Sequence, residues 1–353
     1  MQMVLCGEEV FSAMELEELY QEIKVIIDRL RQEDPRVWYK ELAKKVNPSM
    51  NPECRKYFFQ DDEILDFDPT KIEIKLSFVQ SKEEKNIFSS AMSFWSMPIS
   101  RGYGRRIHII VWDSYHQKVL GIVGLCDPVI GLKVRDDFIK WGKEQRYNRL
   151  YNVMTAYVLG AVPPYNRVLG AKLVAMVAGS KEVSDHFEEK YAKAVTIIRK
   201  RKPINKLVAI DTMGAFGQSA IYHQLKMWKF VGYTQGKTHY HITLNKGLWE
   251  KIYKVANELE LSSLRRNVYG NGANWKFRVL RELFAKMGKS REVDEILYTG
   301  HKRAYYFNGL ASNWREFLNE ETDDVIYSNK TAMEYFELWK NKFLRKGVKR
   351  WGT

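Results

Sequence analysis

The stretch IHIIVWDSYHQKVLGIVGL, residues 107–125, decides how the chain reads. Two apolar runs, 107–112 and 119–125, flank the polar turn 113–118. Short Ile- and Val-rich runs separated by a few polar residues predict a β-hairpin. Beyond it lies a charged segment, 134–149, with RDDFIKWGKEQRYNR at its core, and then an apolar run, 153–162, that stops at Pro163-Pro164. A helical pattern at 167–178, an apolar run at 207–210, a helical pattern at 219–228 and a strand around 239–242 complete the block. The core thus reads strand, strand, strand, helix, strand, helix, strand.

The remaining sequence is arranged around this block. Ser12 and Glu15 have capping-box spacing, and Leu16, Leu19, Tyr20, Ile23, Ile26, Ile27 and Leu30 fall on one helical face. A second helix is expected at 37–46, closed by Asn47 and Pro48. The acidic stretch 60–69 reads as a linker, and alternation at 71–79 as a half-buried strand. A helix at 81–95 leads to the basic loop RGYGRR at 101–106, whose glycines permit close backbone approach to an anion. After the core come helices at 249–259 and 275–287, a basic aromatic strand at 302–310, a helix at 331–343, and a tail in which six basic residues meet no acid.

With 353 residues the chain can hold one large domain or two ordinary ones. Its 45 % hydrophobic content is globular, and a formal charge of +14 favours a polyanionic partner, nucleic acid first. Cys6, Cys54 and Cys126 form no CxxC pair, which argues against a disulfide framework or zinc ribbon and suits a reducing cytoplasm. No run reaches the roughly 18 apolar residues of a membrane helix, and no signal peptide is evident.

Three constellations carry possible chemistry. His239 and His241 share one face of a predicted strand, so both imidazoles can hold one metal ion, Mg or Mn. With Tyr222 as nucleophile and Asp136 or Asp211 as a carboxylate, this is similar to the HUH single-strand endonucleases. Arg135, Asp136 and Asp137 with Trp141, Gln145 and Arg146 combine charge and aromatic surface suited to a phosphate backbone. The order strand, helix, hairpin, strand, helix, strand, helix, strand resembles the GNAT acyltransferase superfamily. Tyr222 then stands where that family carries its general acid, and Arg167, Gly170 and Ala171 follow its pyrophosphate loop. Lys172 and Pro163-Pro164 depart from that loop.

VLGIVGLCDPVIGLKVRDDFIKWGKEQR from Val119, VMTAYVLGAVPPYNRVLGAKLVAMVAGSKEV from Val153 and AIDTMGAFGQSAIYHQLK from Ala209 together resemble the DruA family of Druantia anti-phage defence systems. GYTQGKTHYHI, GANWKFRVLREL and RAYYFNGLASNWREFL continue the likeness, over about residues 100–320. The resemblance implies a prokaryotic defence or mobile-element module acting on DNA with other defence-system proteins, and it carries no catalytic set onto these positions.

The fold class expected is α+β. A central mixed, mostly antiparallel GNAT-like sheet flanked by helices spans 70–246, after an N-terminal helical segment, 1–60, and before a basic, mostly helical α/β module, 247–353. Phosphate contacts are expected from Arg135, Arg146, Arg265, Arg266, Lys276, Arg278, Lys302 and Arg303. Whether the chain is an enzyme stays open. The alternatives are metal-dependent strand cleavage or transfer through Asp136, Tyr222, His239 and His241, and GNAT-like group transfer.

Overall fold

The computed structural model describes residues 13–351 except 101, 103, 197–199, 236–241, 243–244 and 266–273. The chain begins with α1 (Ala13–Gln32), α2 (Pro35–Val46), β1 (Ile74–Phe78), α3 (Lys82–Ala91), β2 (Arg106–Asp113) and β3 (Lys118–Cys126). It continues through α4 (Lys133–Ile139), α5 (Lys143–Arg149), β4 (Val153–Ala161), α6 (Gly170–Val177), α7 (Lys181–Lys190), β5 (Ala209–Met213) and β6 (Lys229–Tyr233). Then come α8 (Lys246–Glu258), α9 (Asn274–Lys286), α10 (Val293–Leu297), β7 (Ala304–Gly309), α11 (Trp314–Leu318), α12 (Ala332–Trp339) and α13 (Arg345–Trp351). Among the described residues no helix is long and apolar enough to cross a membrane.

The chain divides into two compact units, Met1–Val46 with Gly236–Lys302, and Asn47–Gln235 with Arg303–Thr353. The boundaries expected near 60 and 246 fall elsewhere because both units are built from segments distant in sequence. In the helical unit, the apolar stripe of α1 (Leu19, Tyr20, Ile23, Ile27, Leu30) shares a core with Leu248 and Ile252 of α8 and Leu280, Leu283 and Phe284 of α9. Tyr20 meets Phe284 edge-on at 5.7 Å and donates its hydroxyl to Glu292.

The second unit is a seven-stranded mixed sheet in the order β1-β2-β3-β4-β5-β7-β6. β4 and β5 are parallel, and the other neighbouring pairs run antiparallel. The hairpin read from 107–125 is β2–β3, with Ile109 opposite Val123. Its turn is organised by Asp113, whose buried carboxylate accepts from Tyr115 N at 3.1 Å and Tyr165 Oη at 2.9 Å and contacts His116 Nδ1 at 2.6 Å. α3 starts on a capping box in which Glu84 N donates to Ser81 Oγ at 3.1 Å and Ser81 N donates to Glu84 at 3.0 Å.

Three expectations are corrected, and a fourth falls outside the described residues. The stretch 60–69 is no linker. It folds in short 3-10 turns and buries Phe67 and Pro69, with Phe67 against Tyr165 at 5.1 Å. Residues 219–228 form turns, not a helix, and the strand that follows is β6 at Lys229–Tyr233. The strand expected at 239–242 lies outside the described residues except for Ile242. Finally, the basic aromatic strand read at 302–310 is β7, and it belongs to the sheet: it sits between β5 and β6 and pairs with both.

Candidate nucleic-acid interface

The segment between β5 and β6 lines a concavity of the sheet unit. Lys172, on α6, is buried, and its ammonium donates to the carbonyls of Ala220 at 2.7 Å, Ile221 at 3.1 Å and His223 at 2.5 Å. Ser219 N donates to Tyr306 Oη at 2.7 Å, and Trp228 Nε1 to the Ala175 carbonyl at 2.8 Å. These bonds pin 219–228 as a wall of turns. Burial lowers the Lys172 amine to about 8, with Lys342 and Arg350 adding like-charge repulsion.

Beside this wall lies an open cleft of about 570 Å³. Its floor is aromatic: the Tyr222 ring lies 5.0 Å from Trp228 and 4.5 Å from Tyr306. Phe230 stands at its edge, 36 % exposed. Lys226, Lys342 and Lys346 supply its charge, and among the described residues no carboxylate lines it. Lys342 and Lys346 are four residues apart where the chain passes from α12 through a wide turn into α13, so they face one way. Lys342 also donates to the Gln224 carbonyl at 3.0 Å, which fixes the helix against the turn wall.

The start of α6, where a GNAT-like phosphate cradle was expected, is packed by this C-terminal helix. Trp339 Nε1 donates to the Leu169 carbonyl at 3.1 Å. Gly347 lies so near Val168 that a Cβ there would stand 2.4 Å from its carbonyl oxygen. In the basic loop, the described residues 104–106 are likewise closed to an anion. Asp127 already fills it, accepting from Arg105 N at 2.9 Å and Arg105 Nε at 2.7 Å, and a Cβ on Gly104 would collide with that carboxylate at 2.0 Å.

The expected phosphate contacts divide by burial. Arg135 is wholly buried and therefore corrected: its guanidinium donates to Asp136 at 2.9 Å and to the carbonyls of Val129 at 2.9 Å and Ile130 at 3.0 Å. Asp136 also accepts from Trp141 Nε1 at 3.1 Å and Arg146 at 3.0 Å. Burial pushes the Asp136 carboxyl up, but Arg135, Trp141 and Arg146 outweigh it and hold the group below its ordinary value. Nearby, Asp211 is buried, bonded by Thr155 and by Tyr305 Oη at 2.8 Å, and desolvation raises its carboxyl. Arg303 is engaged with the carbonyls of Gly214 at 2.9 Å and Met213 at 3.1 Å. These groups hold the sheet end together.

In the helical unit Arg265, Arg278 and Lys302 are exposed, and Lys276 lies over Trp249 at 4.3 Å. Arg266, His239 and His241 lie outside the described residues, so the expected metal pair has no described geometry. Among the described residues no group of three or more His, Cys, Asp or Glu side chains is placed to hold a metal. Tyr222 is buried, with its hydroxyl bonded to Thr212, and desolvation raises its pKa, which disfavours the phenolate an attacking nucleophile needs.

Sequence reasoning did not assign Lys226, Phe230, Lys342 or Lys346 to a binding site. The available signal was the acid-free basic run at 340–350, which by itself is indistinguishable from a solvated tail.

A family model described as Druantia protein DruA matches residues 30–320. The chain is 34 % identical over 264 residues to the Druantia protein DruA of Escherichia coli (strain UMEA 4076-1), covering 73 % of this chain and 63 % of that protein. The chain thus spans less than two thirds of the length of that relative. No solved structure matches it.

Proposed function

From the premise that this chain belongs to the DruA family of Druantia proteins, we propose that it is a component of a prokaryotic anti-phage defence system and works by binding nucleic acid, DNA first. One observation carries the binding: a cleft with three lysines, an aromatic floor and, among the described residues, no carboxylate in its lining. Such a lining attracts phosphates by charge and bases by their ring faces. The chain's formal charge of +14 adds long-range attraction. Other Druantia proteins are its expected partners, and a reducing cytoplasm is its expected setting, since the three cysteines of the sequence form no CxxC pair.

The test is DNA binding by fluorescence anisotropy at increasing salt. Affinity is expected to fall steeply as salt rises, with a shallower slope in a Lys226→Glu/Lys342→Glu/Lys346→Glu variant. Unaltered binding in that variant refutes the cleft as the interface.

The GNAT-like reading of the sheet is supported by the succession β1, α3, the β2–β3 hairpin, β4, α6 and β5. Group transfer from acyl-CoA has no such support, because α12 and α13 pack on the start of α6. Metal-dependent strand cleavage through Asp136, Tyr222, His239 and His241 stands as a separate proposal resting on the sequence pattern. Its check is nicking of single-stranded DNA with Mn²⁺, compared with a His239→Ala/His241→Ala variant.

A further inference from the structure

We propose that the cleft beside β6 receives an unstacked base of a single-stranded nucleic acid against Phe230, with the flanking phosphates on Lys226, Lys342 and Lys346. The proposal rests on the nucleic-acid reading above and adds which form is bound. Phe230 lies on β6, at the edge of the sheet, and its ring is braced by Tyr306 at 5.7 Å and by Tyr233 edge-on at 5.2 Å. Phe230 is 36 % exposed and Tyr233 46 %, so a rigid aromatic pair is presented to solvent next to three cations.

The chemistry favours an unpaired strand over a duplex. In a duplex the faces of the bases are hidden by stacking, and a recessed aromatic platform cannot reach them. An unpaired strand can splay a base into a concavity while its backbone follows the lysines around the rim. A cleft of about 570 Å³ falls in the range of pockets that enclose small organic ligands, so it has room for a nucleotide. An acidic or phosphorylated peptide is the other polyanion to consider. Forked Arg contacts are the usual means of recognising phosphorylated side chains, and this rim offers lysines only. The aromatic floor would also be unused by such a ligand.

The experiment compares a fluorescein-labelled unpaired oligodeoxynucleotide with the same strand annealed to its complement, using the whole chain at low salt. The unpaired strand is expected to bind about tenfold more tightly. Phe230→Ala is expected to weaken it about tenfold and leave duplex binding nearly unchanged, whereas Phe230→Trp retains it. A 2-aminopurine in the unpaired strand should brighten on binding as it leaves its neighbouring bases, and Phe230→Ala should reduce that change. Lys346→Glu, on the exposed face of α13, provides a second variant with little risk to folding, and it should weaken the unpaired strand as well. Equal affinity for both forms, with Phe230→Ala without effect, overturns this inference while leaving the broader reading intact. Competition by a polyglutamate peptide as strong as that by the unpaired strand also overturns it. Absence of binding to either form overturns both.

Discussion

Lys172 Nζ donates to the Ala220 carbonyl at 2.7 Å, joining α6 to the turns that wall the cleft. The same ammonium serves Ile221 and His223, so one side chain satisfies three backbone acceptors. Lys172→Met keeps the volume and removes every donor. It is expected to lower stability by about 3 kcal/mol in urea unfolding and to weaken nucleic-acid binding at the cleft. A Lys172→Met chain as stable as the parent would show that the turns hold without it.

Asp136 forms a salt bridge at 2.9 Å with the buried Arg135 guanidinium. Asp136→Ala strands that cation and is expected to cost about 3–5 kcal/mol. Because the folded Asp136 pKa is lowered, its contribution is fully present above the ordinary carboxylate pKa of 3.8 and is lost as pH falls below it. Urea unfolding across that range should therefore show the parent converging on Asp136→Asn as pH decreases.

Gly347 has no room for a side chain, since a Cβ would stand 2.4 Å from the Val168 carbonyl oxygen. Gly347→Ala is expected to lift α13 off the start of α6 at a cost of about 1–3 kcal/mol. The readouts are a lower thermal midpoint and faster proteolysis near the C-terminus. Displacement of the neighbouring Lys346 should weaken DNA binding in parallel.

Glu84 is held near 2, from an ordinary 4.5, by the Ser77 hydroxyl first and then by the backbone amides of Gln80 and Ser81. Its folded pKa is depressed, so the stabilisation is present above about 4.5 and fades as pH falls toward about 2. Glu84→Ala should be less stable than the parent by about 1 kcal/mol at neutral pH, with the gap closing through that window in thermal melts. A gap that persists unchanged at the acid end would contradict the charged-cap account.

Several elements were legible because their signals are local. Alternation gave β1, the split apolar runs gave the hairpin, and Ser81 with Glu84 marked the start of α3. The stretch 219–228 misled because Ile221, Leu225 and Trp228 have helical spacing. The carbonyls of residues 220, 221 and 223 instead bond the Lys172 ammonium, 48 to 51 residues away, and helical periodicity cannot report such a donor. The acidic stretch 60–69 looked like a linker for a similar reason: Phe67 packs on His116 and Tyr165, which are distant in sequence.

By itself, the sequence determined the strands and helices of short range, the basic character of the chain and the family to which it belongs. Only the tertiary structure decided which basic groups are free to meet a partner. Arg135 and Lys342 are both cations near aromatic residues, yet the first is enclosed with Asp136 and the second opens onto a cleft. The structure alone also placed β7 between β5 and β6, bringing Tyr306 beneath the cleft from more than 80 residues beyond Tyr222. The physical reason is that periodicity records which face of an element is apolar, whereas desolvation and pairing depend on groups brought together from distant parts of the chain.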